Sequence, residues 1–377
     1  MIILNGIKKK IVAWVNLKIN IYYLIILFFI LIFFNTVSVA QTVESETDSV
    51  QSTDTITIIA VGDIMLGSNF PTEEYLPPDD NCLPLMSPLF DTLKNADITF
   101  GNLEGCFLDS GKLVKNCKDT TKCYAFRMPD KYADCLDSAG FDLMSMANNH
   151  SGDFGKAGRD NSIRLLLERN IKVAGLEELT TAIIERNGYK IGLCAFSPNK
   201  GTCDINIVPV AKKIVKYLDD SCDIVIASFH GGAEGADYQH VPREHEMFYG
   251  EDRGDVYLFA RQLIDAGADA VFGHGPHVTR AIDYYKGRFI IYSLGNFCTY
   301  KRFNLRGPNG IAPIIKLWLS TTGELYKAQI IPVYQGKEVG VRYDPNARVL
   351  NKIEQLTRKD IPELKFEIDE NGIVTFD

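Results

Sequence analysis

The sequence predicts an α/β protein built on mixed sheets, and three observations predict it. Strand-like apolar runs recur along the chain, each ending on a polar or glycine-rich stretch. Helical patterns lie between many of these runs, which argues for parallel strands joined through helices. Tight turns at Asn187-Gly188, Lys286-Gly287 and Thr322-Gly323 each separate two strand-like runs and so add antiparallel hairpins.

The first run, Thr55–Val61, stops at Gly62-Asp63, and the second, Asp97–Phe100, stops at Gly101-Asn102-Leu103-Glu104. Asp130–Ala139 reads as a helix leading to the run Phe141–Met146, which stops at Asn148-Asn149-His150. A second helix, Gly158–Asn170, carries Ile163, Leu166 and Leu167 on one face. The hairpin Thr181–Arg186 and Tyr189–Ala195 follows, then helix Val208–Asp219 and the run Asp223–Phe229 ending at His230. Helix Asp255–Ala266 leads to Asp269–Phe272 and Gly273-His274-Gly275-Pro276-His277. Val278–Tyr284 and Arg288–Ser293 form the next hairpin, with Gly295-Asn296 beyond it, and Ala312–Leu319 with Leu325–Pro332 the last. No internal repeat and no linker interrupts residues 55–377, which read as one domain.

The N-terminus has a different composition. Lys8, Lys9 and Lys10 precede the apolar run Ile21–Phe34, and Ser38-Val39-Ala40 places small residues where signal peptidase reads. Residues 1–40 are therefore expected to be a secretory signal cut after Ala40, placing the mature chain in the periplasm or cell envelope. An uncleaved anchor is the alternative, although a 14-residue run is short for a membrane span. Residues 41–54 are polar and aperiodic, a flexible linker. Removing residues 1–40 takes away four lysines and no acids, which moves the formal charge from −8 to −12. A chain this acidic is not expected to bind nucleic acid. Export permits disulfides among the nine cysteines. Cys117 and Cys123, flanking the polar loop Lys118–Lys122, are the expected local pair; two free thiols are the alternative.

Ligands of α/β sheets gather beyond the carboxyl ends of strands. Here those ends carry Asp63, Glu104, Asn149, His150, His230, His274 and His277. Four of the six histidines stand there, and the other two, His240 and His245, share one charged loop. Each residue alone has a bland reading: Asp63 as a turn or cap, Asn148-Asn149 as a turn, His230 as a satisfied core histidine. Together, carboxylate, amide and imidazole ligands suit zinc, manganese or iron. One or two such ions, bridged through Asp63 or Glu104, could activate water and clamp a phosphoryl or carbonyl oxygen. The sequence has no nucleophile elbow, no phosphate-binding P-loop and no zinc-finger cysteine spacing. The loop 231–255 is too long and charged for a simple connection, so Glu234, His240 and Arg243 are expected to line a substrate cleft; a solvated loop is the alternative. Arg243 suits a carboxylate through its bidentate fork.

Six motifs, in order, carry a family resemblance: Ala60–Met65, Gly101–Gly105, Ala147–His150, His230–Glu234, Gly273–His277 and Tyr292–Phe297. Across residues 55–335 the chain resembles the CapA (PgsA) family of capsule or poly-γ-glutamate synthesis proteins, a branch of the calcineurin-like metallophosphoesterases. The resemblance implies a four-layer α/β/β/α sandwich. It implies that Asp63, Glu104, Asn149, His230, His274 and His277 hold divalent metal, with His150 as catalytic acid and Asn296 near the substrate. The family pattern has a histidine two residues after the first aspartate, where this chain has Met65. Asp153 is expected to orient His150, or else to cap the helix near Gly158 or replace the ligand missing at Met65. The implied function is a metal-dependent hydrolase or transferase acting on an anionic cell-surface polymer or its precursor, alongside other capsule-synthesis proteins. A non-enzymatic assembly factor and a general phosphoesterase are the alternatives.

Overall fold

Successive side chains of a strand point to opposite faces, and the first strand uses both. In the computed structural model, which describes Trp14 and residues 55–116, 123–336 and 340–377, strand Thr55–Met65 sends Ile56, Ile58 and Ala60 to one core and Ile59 and Val61 to another. The pattern holds in the neighbouring sheet, where Ile224 and Ile226 alternate with Val225, Ala227 and Phe229. Strands buried on both faces read as near-continuous apolar runs.

Two large sheets result. The first orders its strands as Phe366–Ile368, Ile373–Phe376, Leu325–Gly336, Ile311–Ser320, Thr55–Met65, Ile98–Leu103, Leu143–Ser145 and Lys172–Ala174. Its last four strands are parallel, and Ile311–Ser320 joins them antiparallel. The second orders Ile282–Tyr285, Arg288–Ile291, Ala270–His274, Ile224–His230, Tyr189–Phe196 and Thr181–Arg186, a parallel centre with a hairpin at each edge. At both hairpin turns the two central residues take positive φ: Asn187 (55°) and Gly188 (84°), Lys286 (51°) and Gly287 (80°). This is the turn geometry that matches strand twist.

The sheets face each other across Ile58, Phe100 and Leu143 on one side and Leu193, Ile226 and Phe272 on the other. Phe100 and Phe272 stack across that interface at 5.7 Å, and truncating either to alanine should cost about 3–5 kcal/mol. Helices Ala133–Ala139 and Gly155–Glu168 cover the outer face of the first sheet, and Val208–Asp219 and Val256–Asp265 cover that of the second. The expected four layers, helix, sheet, sheet and helix, are therefore present.

Several features went beyond the sequence reading. Helix Arg348–Asp360 places Val349, Leu350 and Ile353 in the inter-sheet core, and two further strands follow it. Asn296–Thr299 is itself a strand, parallel to the end of Thr55–Met65. Cys82 and Cys135 form a disulfide across 53 residues, a loop length worth about 4 kcal/mol in the chain-entropy account. The expected Cys117–Cys123 pair lies outside the described residues at Cys117, and so do the expected signal and linker, residues 1–54, apart from Trp14. No helix among the described residues is long and apolar enough to cross a membrane. Residues 54–377 form one compact unit.

Candidate functional site

The parallel strands of both sheets deliver their carboxyl ends to one place. Asp63 sits opposite Asn102 on one neighbouring strand and opposite Asn296 on the other, and His274 sits opposite His230. Two glycines make the approach close enough. A Cβ on Gly62 would lie 1.9 Å from the Gly295 carbonyl oxygen, the atom that accepts the Asp63 N–H at 2.9 Å; a Cβ on Gly273 would lie 2.3 Å from the Tyr292 carbonyl oxygen.

Asp63 and Glu104 are fully buried and share one amide. Asn102 Nδ2 donates to Asp63 Oδ1 at 2.9 Å and to Glu104 Oε2 at 2.7 Å, and its Oδ1 accepts from Asn148 Nδ2 at 3.0 Å. On the Asp63 side, His277 Nδ1 lies 2.8 Å from Oδ2 and His274 Nδ1 3.3 Å from Oδ1. On the Glu104 side, His230 Nε2 lies 3.3 Å and His150 Nε2 4.0 Å from Oε1. One ligand atom from each of Glu104, His230 and His277 falls within 4.8 Å of the others.

The electrostatics follow from this packing. Burial alone would raise the Asp63 carboxyl, but the close His274 and His277 rings hold it far below the usual carboxylate range. Burial likewise works against the ionised Glu104; the neighbouring His230 offsets it and leaves Glu104 below its ordinary value, despite repulsion from Asp63. For His277, burial disfavours the charged ring, yet Asp63 pushes its pKa up to about 9. Without metal, a protonated His277 would offset part of the negative charge of the two buried carboxylates, a role a bound cation would take over.

The residues fit a divalent cation. Both ring nitrogens of His230 and His274, with Glu104 Oε1 and Asn149 Oδ1, are buried without a hydrogen-bond partner. Each orphaned buried polar atom costs about 1–3 kcal/mol, and one or two cations would satisfy the group at once. The donors, carboxylate, amide oxygen and imidazole, suit zinc, manganese or iron. Met65 stands apart from them. Its sulfur accepts the Gly67 N–H at 3.3 Å and its side chain belongs to the core on the outer face of the first sheet.

A cavity of about 530 Å³ opens beside the cluster, with Asn149, His150, Glu234, His277 and Asn296 among its lining residues. His150 Nδ1 lies 2.7 Å from Asp153 Oδ2, which also accepts the Phe126 N–H at 2.9 Å. Lys115 Nζ sits 3.1 Å from Asp153 Oδ1 and 3.3 Å from His150 Nδ1. The Asp153 carboxylate thus faces His150, and no bond to the helix N-terminus draws it away. Glu234 accepts from Arg253 at 3.1 Å. The Asn296 amide holds the His277 loop by donating to the His277 carbonyl at 3.1 Å, and Asn309 does the same; Asn296 Oδ1 and Asn309 Oδ1 have no hydrogen-bond partner.

His240 and Arg243 are not brought to this cavity. His240 Nδ1 pairs with Asp360 at 2.8 Å, and Arg243 donates to both Glu363 oxygens at 2.7 Å while stacking on Tyr257. Acids near the C-terminus claim these two charges, while Phe248 and Tyr249 of the same loop line the cavity. Asn102, Lys115, Phe126 and Asn309 were not singled out from sequence. Asn102 alone left a signal, since asparagine is unfavourable inside a strand.

This is a two-sheet α/β protein with a metal-capable centre at the carboxyl ends of its strands. The chain belongs to the bacterial capsule synthesis protein family PGA_cap, whose model matches residues 57–301. It is 28% identical over 261 residues to the capsule biosynthesis protein CapA of Bacillus anthracis, covering 64% of this chain and 59% of that protein. It is 26% identical over 272 residues to the PGA biosynthesis protein CapA of Bacillus subtilis strain 168, covering 67% and 66%. The chain therefore spans less than two thirds of the length of these relatives. Among solved structures it is similar to a putative 5'-nucleotidase from Staphylococcus aureus, with a TM-score of 0.44 at 14% identity over 80% of this chain and 58% of that one.

Proposed function

We propose that this chain is an exported, metal-dependent hydrolase or transferase that acts on an anionic cell-surface polymer of the poly-γ-glutamate type, or on its precursor, together with other capsule-synthesis proteins. The observation that carries the reading is the group of orphaned nitrogens and oxygens on His230, His274, Glu104 and Asn149, set beside a cavity that contains His150. The names of the relatives support the polymer class. Asp63, Glu104, Asn149, His230, His274 and His277 hold one or two manganese, zinc or iron ions. When bound, the metal supplies Lewis acidity toward a carbonyl or phosphoryl oxygen and a water of lowered pKa. His150 gives its proton to the leaving group from Nε2, while Asp153 fixes the tautomer by accepting from Nδ1. Phe126, 4.1 Å from the His150 ring, shields that proton from bulk water. A signal at residues 1–40, cleaved after Ala40, and a linker at 41–54 deliver the domain to the envelope; uncleaved, the same segment would be its membrane contact.

A second reading, a non-enzymatic assembly factor, is favoured by one observation: Met65 occupies a ligand position of the family pattern and packs into the core. Metal analysis of protein purified without chelators separates the two, followed by assays on γ-glutamyl amides and phosphate esters. Stoichiometric metal with turnover of γ-glutamyl amides is expected. Protein that holds no metal, and takes up neither manganese nor zinc, is the assembly factor. Turnover of simple phosphate esters alone makes it a general phosphoesterase.

A further inference from the structure

We infer that Arg302 binds an anionic group of the substrate, a free carboxylate of a γ-linked glutamyl chain, at the wall of the cavity that holds His150 and His277; this rests on the reading just proposed. Arg243, the guanidinium expected from sequence to do so, is committed to Glu363 outside the cavity. Apart from the two histidines, the basic side chains lining the cavity are Lys115 and Arg302, and they differ in what neutralises them. Lys115 is held by Asp153 at 3.1 Å. Glu234, the carboxylate among the lining residues, is held by Arg253. Arg302 has no carboxylate partner among the described residues. Among the described residues its hydrogen bond goes to the Cys123 carbonyl, which leaves most of its five N–H donors for a ligand.

The guanidinium is positioned before any ligand arrives. It lies over the Tyr75 ring at 4.7 Å and the Tyr124 ring at 5.1 Å, so two aromatic rings restrict its movement. Its backbone is fixed as well. Lys301 and Arg302 both adopt left-handed φ, 50° and 56°, which side-chain-bearing residues seldom do and which recurs where a segment is held for a ligand. On one side of the pair, the Tyr300 N–H donates to the Met65 carbonyl at 2.8 Å. On the other, Phe303 packs on Phe126 at 5.0 Å and edge-on to His277 at 5.3 Å. Arg302 is thus tied to the strand of Asp63 and to the His277 loop. A substrate whose reacting bond lies beside His150 would present a second, anionic group to this fork. A planar carboxylate matches it bidentately.

The test is calorimetric binding of a short γ-glutamyl oligomer, and of the same oligomer with its carboxylates converted to primary amides, to the metal-loaded wild type, R302Q and R302K. R302Q should weaken the charged oligomer by about 10–100-fold, the range of a lost charge-assisted bidentate pair, and change the amidated one by less than about 2-fold. R302K should recover only part, since an ammonium lacks the fork. Wild type that binds both oligomers alike, or R302Q that binds the charged one as wild type does, overturns the inference. A glycerol-phosphate oligomer that binds tighter than the glutamyl one, and does so through Arg302, overturns the carboxylate assignment. If R302Q fails to fold, as read by melting temperature and metal content, the charged-to-amidated preference of R302K must fall below that of wild type for the inference to stand. Wild type that binds the charged oligomer through Arg302 but cleaves neither amides nor esters supports the anion site and refutes the hydrolase. Cleavage of charged and amidated oligomers with equal efficiency does the reverse.

Discussion

His230 and His274 on one side, and His240 and His245 on the other, are the same side chain in opposite conditions. The first two are buried at strand ends with no well-formed hydrogen bond on either ring nitrogen, although His230 Nε2 and His274 Nδ1 each lie 3.3 Å from a buried carboxylate. The last two stand exposed on the loop that follows, each within 2.9 Å of a carboxylate, Asp360 for His240 and Asp252 for His245. An exposed, paired imidazole needs nothing more. A buried, unpaired one is a standing cost that a ligand removes. The difference teaches that a histidine count points toward a site only loosely, and that burial without a partner points to it closely.

The comparison can be broken most severely at His274. His274→Ala should lower metal affinity by more than the roughly 10–100-fold that loss of an outer-shell partner costs, and take turnover with it. Metal analysis after dialysis checks this, and unchanged occupancy would remove His274 from the ligand set. Next is His150, which shares the cluster but already has Asp153 on Nδ1. His150→Ala should lose about 10²–10⁴-fold in turnover while keeping its metal, and Asp153→Asn should lose less. Metal loss as complete as in His274→Ala would make His150 a ligand. Asn102 sharpens the picture from beneath, because one amide serves both carboxylates. Asn102→Leu should cost about 10–100-fold in metal affinity, measured by competition with a chelating dye. The smallest effect belongs to the loop. The hydrogen bond that His245 donates to Asp252 raises the His245 pKa above its ordinary value. That stabilisation is full below about pH 6.5 and fades as pH rises through the raised value. Screened by solvent, it should make His245→Ala less stable by at most about 0.5 kcal/mol near pH 5.5 and not at all near pH 9, by denaturant melts; metal content should not change.

Much of this was legible because its causes are local. An apolar run ending in Gly-Asp or in Asn-Asn-His announces a strand with something at its end, and Asn187-Gly188 forms the turn its dihedrals require. The strand ends that carry Asp63, Glu104, His230 and His274 converge because parallel strands share a direction. What was not legible depends on distant neighbours. Nothing around Arg243 shows that Glu363 will claim it, and nothing around Arg302 shows that it will be left unclaimed beside His150. The Cys82–Cys135 bond joins positions 53 residues apart, with no local pattern to mark either partner. Asn102 was visible inside its motif, but its double donation requires Asp63 and Glu104 to be already in place.

Asp63 and His277 touch at 2.8 Å across 214 residues of chain. On the proposed ligand set, no fragment shorter than that span could hold an ion through both, and the site would form only when the first strand of one sheet and the loop leaving the other have met. Closing a loop of this length carries an entropic cost that must be met before the contact forms. An ion bound here is a certificate of completed assembly, issued after the chain has folded and withdrawn when either sheet opens. It would also couple the two sheets, since at a free concentration one hundred times its dissociation constant it adds about 2.7 kcal/mol that opening either one forfeits.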